Sequence, residues 1–182
     1  MAVEEIVPRE TKHGLVADGD GWFVINAADS RWNDTGPFGF YCNFEGKRSF
    51  KQLGLNLNVL EPGQSLGYYH RERAQEDFLI LAGEGILIVE GEERPLGQWD
   101  FVHCPPETKH AFVGAGDGPC VILCASSRQF QKDGPWGFYC VDETAARYNA
   151  SSPEETQDTE IADARFAEPR KTRHSSGLLP GD

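Results

Sequence analysis

Short strands separated by turns are the feature that most limits how this chain can fold. Between residues 55 and 125, apolar or alternating runs of about five residues follow one another, and most are separated by glycine or proline. None of these runs has the 3.6-residue period of a helix. Strands of this length with regular turns predict an all-β sandwich or barrel.

Two of these runs lie next to each other around a glycine-rich turn. Phe78–Ala82 and Ile86–Glu90 are compact and apolar, and Gly83-Glu84-Gly85 separates them. Glycine at such a turn allows the backbone conformations that tight hairpins need. The pattern therefore predicts a β-hairpin at this point.

Histidine and carboxylate side chains are concentrated near these strands. His70 and Glu72 are two residues apart, so on a strand they point to the same face, and Glu76 follows at an even spacing. His110 follows a pair of prolines, which favours an extended or turned backbone before it. Two imidazoles and two carboxylates suit Fe, Mn, Zn, Ni or Co better than Ca. The sequence thus predicts a divalent transition metal bound by His70, Glu72, Glu76 and His110.

An arginine could neutralise these carboxylates in place of a metal. Arg71, Arg73 and Arg94 are the candidates near Glu72 and Glu76 in sequence. Arg71 and Arg73, however, alternate onto the strand face opposite to that of His70. Burying the two carboxylates without a cation would cost several kcal/mol per uncompensated charge. This cost favours the metal.

The spacing of the donors resembles that of the cupin family. The first cupin motif places a His-x-His pair before a glutamate and a glycine, and His70, Glu72, Glu76 and Gly83 fall at those spacings. Glu72 stands where the family usually has its second histidine. The resemblance covers roughly residues 55–126.

The second cupin motif is matched less completely. Pro105 and His110 fit it, whereas other positions differ from the family pattern. Trp99 and Glu107 stand where glycine is expected, Gly114 replaces an asparagine, and Gly63 lies one residue early. The resemblance implies an all-β jelly-roll barrel, also called a double-stranded β-helix, of about six to ten strands.

Two residues are candidates for catalysis beside the metal. Glu72 is either a fourth ligand or a general base, since desolvation raises the pKa of a carboxyl group towards neutrality. Tyr68 shares the predicted strand face of His70, and either hydrogen-bonds a substrate oxygen or fills the barrel.

Together with the resemblance, these residues predict a metal-dependent enzyme that acts on a small oxygen-bearing organic molecule. The reaction is of a dioxygenase or an isomerase/lyase type, because cupins host both and fold alone does not decide. The alternative is a non-catalytic cupin that binds a small ligand as a sensor or storage module.

A seven-residue segment occurs twice. Gly36-Pro37-Phe38-Gly39-Phe40-Tyr41-Cys42 recurs at residues 134–140, where Trp136 replaces the phenylalanine. Its aromatic residues either pack against the barrel or form a subunit interface, since aromatic clusters serve both purposes. Self-complementary edges of this kind predict a homodimer.

Composition excludes several classes of partner. The chain has 182 residues, enough for one domain with a full core, and its net charge of −12 argues against nucleic acid or anionic membranes. No apolar run approaches the roughly 20 residues of a membrane span, and residues 1–5 lack a signal-peptide pattern. Five cysteines, an odd number, indicate free thiols in a reducing compartment. We therefore expect a cytoplasmic protein with a small-molecule partner.

The ends of the chain differ from its middle. Residues 1–21 are polar and glycine-rich and predict an N-terminal arm, residues 22–148 form the barrel domain, and residues 149–182 are a polar C-terminal segment. Ser152-Pro153-Glu154-Glu155 has a capping-box spacing with proline at the first helical position, which predicts a short helix from about Pro153 to Phe166. Residues after Pro169 include few core types and are expected to be mobile.

Overall fold

Strands dominate the parts of the chain that the computed structural model describes, residues 2–129, 135–162 and 169–181. In chain order the strands are β1 (Arg9–Thr11), β2 (Gly14–Val16), β3 (Arg31–Asp34), β4 (Phe40–Cys42), β5 (Leu53–Leu60), β6 (His70–Glu72), β7 (Glu76–Ala82), β8 (Glu84–Val89), β9 (Glu92–Leu96), β10 (Phe101–Cys104), β11 (His110–Ala115), β12 (Cys120–Ser127), β13 (Gly137–Tyr139) and β14 (Arg170–Arg173). A 3-10 turn covers Gly36–Phe38, and two short helices, α1 and α2, cover Glu143–Ala146 and Thr159–Ala162. None of these helices has the length and apolar character that crossing a membrane requires.

Two sheets of antiparallel strands form the body of the fold. The larger has the order β10-β7-β12-β5-β4-β3-β14, and the smaller has the order β13-β6-β11-β8-β9. Buried apolar side chains from both sheets, among them Phe78 on β7, Phe112 on β11 and Ile122 on β12, pack into one cluster. The arrangement confirms the predicted all-β jelly-roll fold. It contains more strands than the predicted range because β3, β4, β13 and β14 extend the two sheets.

The turn at Gly83 joins the two sheets and does not form a hairpin. β7 pairs with β10 and β12, whereas β8, which follows it, pairs with β9 and β11. Gly83 has a φ of 75°, and a Cβ at this position would lie 2.2 Å from the Pro119 carbonyl oxygen. The hairpin prediction was wrong because the glycine allows the backbone to cross from one sheet to the other.

The alternation in β5 points its polar residues inward. Leu57 and Val59 pack on the outer face of the larger sheet with Trp32, whereas Asn56 and Asn58 line a cavity between the sheets. A jelly-roll interior usually takes the apolar face. Two inward asparagines therefore mark the cavity as polar.

The C-terminal segment is more structured than the sequence predicts. The helix predicted to start at about Pro153 begins only at Thr159. The residues between these two are not helical, and Thr156 forms an isolated bridge with Tyr139. The predicted helix residues after 162 lie outside the described residues. Residues 170–173, expected to be mobile, pair with β3 as an edge strand, and Leu178 is buried against the outer face of that sheet. The tail therefore contributes to the core, while the three-part division of the chain remains a prediction.

The two copies of the repeated segment lie in different sheets. Residues 36–42 contain the 3-10 turn and β4, and the described residues of the second copy, 135–140, contain β13; Gly134 lies outside the described residues. The ring of Tyr68 contacts both copies, with ring centroids 5.1 Å from Phe38 and 6.3 Å from Tyr139. These contacts favour packing within the chain over a role for both copies at a subunit interface.

Two positions where the cupin pattern has glycine keep the backbone conformation of glycine. Trp99 has a φ of 74° and Glu107 a φ of 70°, values in the left-handed region that residues with a side chain rarely adopt. Both therefore fit the second cupin motif at the level of the backbone, although the residue type differs.

Candidate metal centre

His70 and His110 form a cross-strand pair at the centre of the smaller sheet. His70 begins β6, His110 begins β11, and the two are directly opposite in the register. Their ring centroids lie 4.8 Å apart. The side chain of His110 is 2% exposed and that of His70 is 16% exposed, so both imidazoles are held inside the fold.

The backbone fixes which nitrogen of each ring faces the cavity. His70 Nδ1 lies 2.6 Å from the Tyr68 carbonyl oxygen, and His110 Nδ1 lies 3.0 Å from the Thr108 carbonyl oxygen. A carbonyl only accepts, so each Nδ1 carries the proton and each Nε2 keeps a free lone pair. Backbone partners of this kind orient metal-binding histidines.

Glu76 joins this pair from the other sheet. Its Oε2 atom lies 3.5 Å from His110 Nε2 and 4.0 Å from His70 Nε2. The donor atoms of the three residues all lie within 4.8 Å of one another. Metal–ligand bonds of about 2.0–2.2 Å place ligand atoms about 3 to 3.5 Å apart, so small side-chain shifts bring all three to one ion. The donor set and its geometry fit a divalent metal.

Glu72 lies beside this group. Its Oε1 atom is 3.9 Å from His70 Nε2, and its carboxylate is hydrogen-bonded by the Ser126 side chain. The three-residue cluster does not include it. The structure therefore brings three of the four predicted ligands together and leaves Glu72 next to them, where its role as a ligand remains a prediction.

Burial favours the neutral form of every ionisable group in the cluster. It raises the pKa of Glu72 to about 7, and burial together with the adjacent Glu72 raises the pKa of Glu76 to about 8. Burial and the neighbouring His70 lower the pKa of His110 to about 3, and burial lowers the pKa of His70. A bound cation reverses the preference of the carboxyls, because metal ligands must be deprotonated.

Two of the three arginines that compete with a metal in the sequence, Arg71 and Arg94, have other partners. Arg71 forms an ion pair with Glu107 and lies over the ring of Phe138. Arg94 pairs with Glu92, with Nη2 2.7 Å from Oε2. Neither therefore neutralises the carboxylates of the cluster.

Two adjoining chambers, which share several lining residues, lie beside the cluster. The inner chamber has a volume of about 130 Å³ and contains His70, Glu76 and His110 with apolar walls such as Phe78 and Phe112. The outer chamber has a volume of about 340 Å³ and is more polar. Its lining consists of Gly54, Asn56, Glu72, Ala74, Glu76, Cys124, Ser126, Ser127, Arg128 and Trp136. Glu76 lines both chambers, so the metal cluster lies at their junction.

Tyr68 contacts the site through its backbone. The strand β6 begins at His70, so the alternation that would align the two side chains does not extend to Tyr68. Its side chain is fully buried between the repeated segments, and it is absent from the described lining of both chambers. The placement favours a filling role for the ring and an orienting role for the carbonyl, which holds His70.

Several residues of the site belong to no recognisable sequence motif, and the sequence alone does not identify them as site residues. Trp136 lies with its ring centroid 5.7 Å from that of His70, and its one signal in the sequence is that it differs from Phe38 between the repeats. Ser126 and Cys124 reach the outer chamber by even spacing on β12. Arg128 follows the same strand. The order of the strands, which the sequence does not specify, determines that these residues approach His70.

Two facing antiparallel sheets with a His-Glu-His cluster between them define a cupin-type barrel with a candidate metal centre. The Cupin domain family matches residues 56–126. That span runs from β5 to β12 and contains all four predicted ligands. Residues 56–126 of the chain therefore form a cupin domain.

The similarity to known proteins covers only part of this chain. An uncharacterised protein of Methanocaldococcus jannaschii is 32% identical over 53 residues, which are 29% of this chain and 42% of that protein. Among solved structures, KdgF from Halomonas sp. is 24% identical with a TM-score of 0.46, covering 56% of this chain and 91% of its own. A cupin protein from Bacteroides fragilis is 24% identical with a TM-score of 0.42, covering 47% and 73%. The match thus spans less than half of the archaeal relative.

Proposed function

We propose that this protein is a metal-dependent enzyme that moves a proton within a small oxygen-bearing organic molecule, in an isomerase or lyase type of reaction. The observation that carries the proposal is the position of Glu72. Its carboxylate is next to His70, outside the three-residue cluster, and on the wall of the outer chamber. A carboxylate that is free of the metal and faces a substrate-sized space can act as a general base.

His70, Glu76 and His110 are the residues that would hold the metal. The donor set suits Fe, Mn, Zn, Ni or Co. When bound, such an ion supplies Lewis-acid polarisation of a substrate oxygen.

The side chains of the outer chamber supply the remaining functions. Glu72 accepts a proton from the substrate carbon adjacent to the polarised group and returns it to another substrate atom, so the carboxyl ends in its starting state. The Ser126 hydrogen bond orients Glu72 for this transfer. Trp136 and the apolar inner walls exclude water from the reacting atoms.

The test uses deuterium from the solvent. Protein reconstituted separately with Fe, Mn, Zn, Ni and Co is incubated in D2O with a panel of small hydroxy and keto compounds, and proton NMR follows deuterium incorporation at carbon. We expect incorporation that needs the metal and is lost in Glu72→Gln. Oxygen consumption without deuterium exchange would favour a dioxygenase. Wild-type protein that binds none of the five metals would end the enzymatic proposal and favour the non-catalytic ligand-binding alternative.

The setting of the enzyme is also part of the proposal. We infer a cytoplasmic protein that binds a small molecule and neither nucleic acid nor membrane. The net charge of −12 supports this, because both of those partners attract basic surfaces. The five cysteines support a reducing compartment, since all are free thiols and four of them are buried. A fluorescent fusion found outside the cytoplasm would contradict it.

A further inference from the structure

Arg128 is fixed at the wall of the outer chamber by partners behind it. Its Nη1 atom lies 2.7 Å from Glu45 Oε1 and donates to the Phe50 carbonyl oxygen at 2.7 Å. The side chain of Arg128 is 15% exposed and that of Glu45 is 7% exposed. The backbone N–H of Arg128 also donates to the Gln52 carbonyl. A buried carboxylate and the Phe50 carbonyl therefore hold the guanidinium in one orientation, and the Gln52 carbonyl fixes the backbone that carries it.

The other edge of this guanidinium is open. A Cβ built on Gly54 would lie 3.2 Å from both Nε and Nη2 of Arg128, and both residues line the outer chamber. In the described part of the chain, these two nitrogens have no hydrogen-bond partner, and they are not among the buried unpaired atoms. The absence of a side chain at Gly54 therefore leaves two adjacent N–H groups available to a ligand in the chamber.

The open edge lies in line with the candidate catalytic residues. Ser126 is opposite Gly54 on one neighbouring strand and opposite Glu76 on the other. Arg128 is two residues beyond Ser126, which corresponds to roughly 7 Å along an extended chain. A small molecule in this chamber can thus contact Arg128 at one end while its other end reaches Glu72 and the metal cluster.

We propose that Arg128 binds the carboxylate of a small organic acid through Nε and Nη2. The proposal deepens the proposed function and rests on it, because the outer chamber is taken as the substrate pocket. Two parallel N–H groups on a planar fork match the two oxygens of a carboxylate. The substrate class is therefore a small hydroxy or keto acid.

Charge favours a carboxylate over a phosphate at this edge. Glu45 already balances the charge of Arg128, and Glu72 and Glu76 line the same chamber. A carboxylate brings one negative charge into this space, whereas a phosphate ester brings close to two. Repulsion between like charges in a poorly solvated chamber therefore penalises the phosphate more strongly.

The experiment compares acids with the matching alcohols. Lactate, 3-hydroxybutyrate and gluconate are titrated calorimetrically into metal-loaded wild-type protein, each beside the compound in which a hydroxymethyl group replaces the carboxylate. Inorganic phosphate is titrated as a further probe. We expect at least one acid to bind more tightly than its alcohol and more tightly than phosphate.

Two variants test the open edge by different routes. Arg128→Lys keeps the charge but removes the fork, and Gly54→Ala leaves the Arg128–Glu45 pair in place while a methyl group covers Nε and Nη2. Each should weaken binding of the acid by roughly ten- to a hundredfold, because a charge-assisted hydrogen bond is lost. The alcohols should be unaffected. Arg48→Lys is the matched control, since Arg48 is an exposed arginine paired with Asp20 outside the chamber.

Metal content, measured in the same samples, separates this inference from the proposed function. Metal-loaded wild-type protein with no preference for acids over alcohols, or acid binding that is unchanged in both variants, would overturn the role of Arg128 and leave the metal site intact. Protein that takes up no metal would overturn the proposed function. In that case the same titrations of acids and alcohols are made on the metal-free protein, and their difference in affinity still tests the role of Arg128. Tighter binding of phosphate than of every acid would assign the edge to phosphates and also overturn the inference.

Discussion

His70 and His110 face each other across two antiparallel strands, and each donates its Nδ1 proton to the backbone carbonyl two residues earlier. The same local geometry on both strands leaves both Nε2 atoms available to one ion. Glu76 approaches these atoms from the opposite sheet. A metal at this point therefore links the two sheets of the barrel.

Metal binding should depend on both histidines. We expect His70→Ala and His110→Ala each to abolish stoichiometric metal after dialysis, because losing one of three or four ligands removes much of the binding free energy. Elemental analysis measures the result. His103→Ala is the matched control, since His103 is exposed and pairs with Asp77 away from the cluster. Full metal occupancy in the double variant of His70 and His110 would show that the site lies elsewhere.

Substitutions of Glu72 and Glu76 should affect metal binding and turnover differently. Glu76→Gln is expected to lose metal, whereas Glu72→Gln is expected to keep it and lose deuterium exchange, because only Glu76 belongs to the three-residue cluster. Glu72→His should also keep metal but change the preferred ion, since the net charge of the site rises by one. If Glu72→Gln lost metal as completely as Glu76→Gln, Glu72 would be a fourth ligand.

The strand spacing and the cupin motif explain the positions of His70, Glu72 and His110, but the spacing argument does not explain the position of Glu76. His70 and Glu72 share a strand, as their spacing indicates, and His110 lies where the second cupin motif predicts. Glu76 reaches the site differently, because the chain bends at residues 73–75 and enters the other sheet. Its even spacing from His70 therefore does not explain its orientation.

The rest of the site depends on contacts that a single sequence does not specify. Arg128 and Trp136 reach the outer chamber because of strand order and pairing between distant segments. Periodicity predicts that β12 alternates, but it does not indicate which face meets Glu76. Leu178 illustrates the same limit for the fold, since a polar tail with one well-placed leucine closes the outer face of a sheet.

The stability of the metal-free protein should fall as pH rises from about 6.5 to 8. Glu76 has a pKa of about 8 in the folded protein and an ordinary value of 4.5 when unfolded, so in this range the folded state holds more protons. The His110 pKa is lowered, so His110 opposes this trend only below 6.5, its ordinary value. The slope approaches about 1.4 kcal/mol per pH unit for each proton. Urea denaturation at several pH values measures it.

Bound metal should remove this decline, because the metal-bound folded state already contains deprotonated carboxyls. Glu76→Gln should remove much of it in the metal-free protein, since its side chain does not titrate. A metal-free protein whose stability rose between pH 6.5 and 8 would contradict the raised pKa of Glu76.

Replacing Trp99 by glycine should stabilise the protein. Trp99 has a φ of 74°, and its backbone is held there by a hydrogen bond to the Ile80 carbonyl oxygen. Glycine relieves the strain of this conformation, and we expect a gain of roughly 0.5–1 kcal/mol in the free energy of unfolding. Phe101→Gly is the control, since Phe101 is similarly exposed but lies within β10. Phe101→Gly is expected to lose stability, because glycine weakens a strand, whereas a loss of stability in Trp99→Gly would contradict the prediction.

The chain should form a homodimer through the edge strand β10. Among the described strands β10 pairs only with β7, and its exposed edge carries Phe101 close to Trp99, which are 64% and 67% exposed. An unpaired edge with large aromatic side chains favours pairing with a second copy. We expect a dimer in sedimentation velocity at micromolar concentration. Phe101→Lys should shift it to monomer, because charge on an edge strand opposes pairing, and Val24→Lys, at another exposed apolar position, should not. A monomeric wild-type protein would show the prediction to be wrong, and a dimer unaffected by Phe101→Lys would move the interface to another surface.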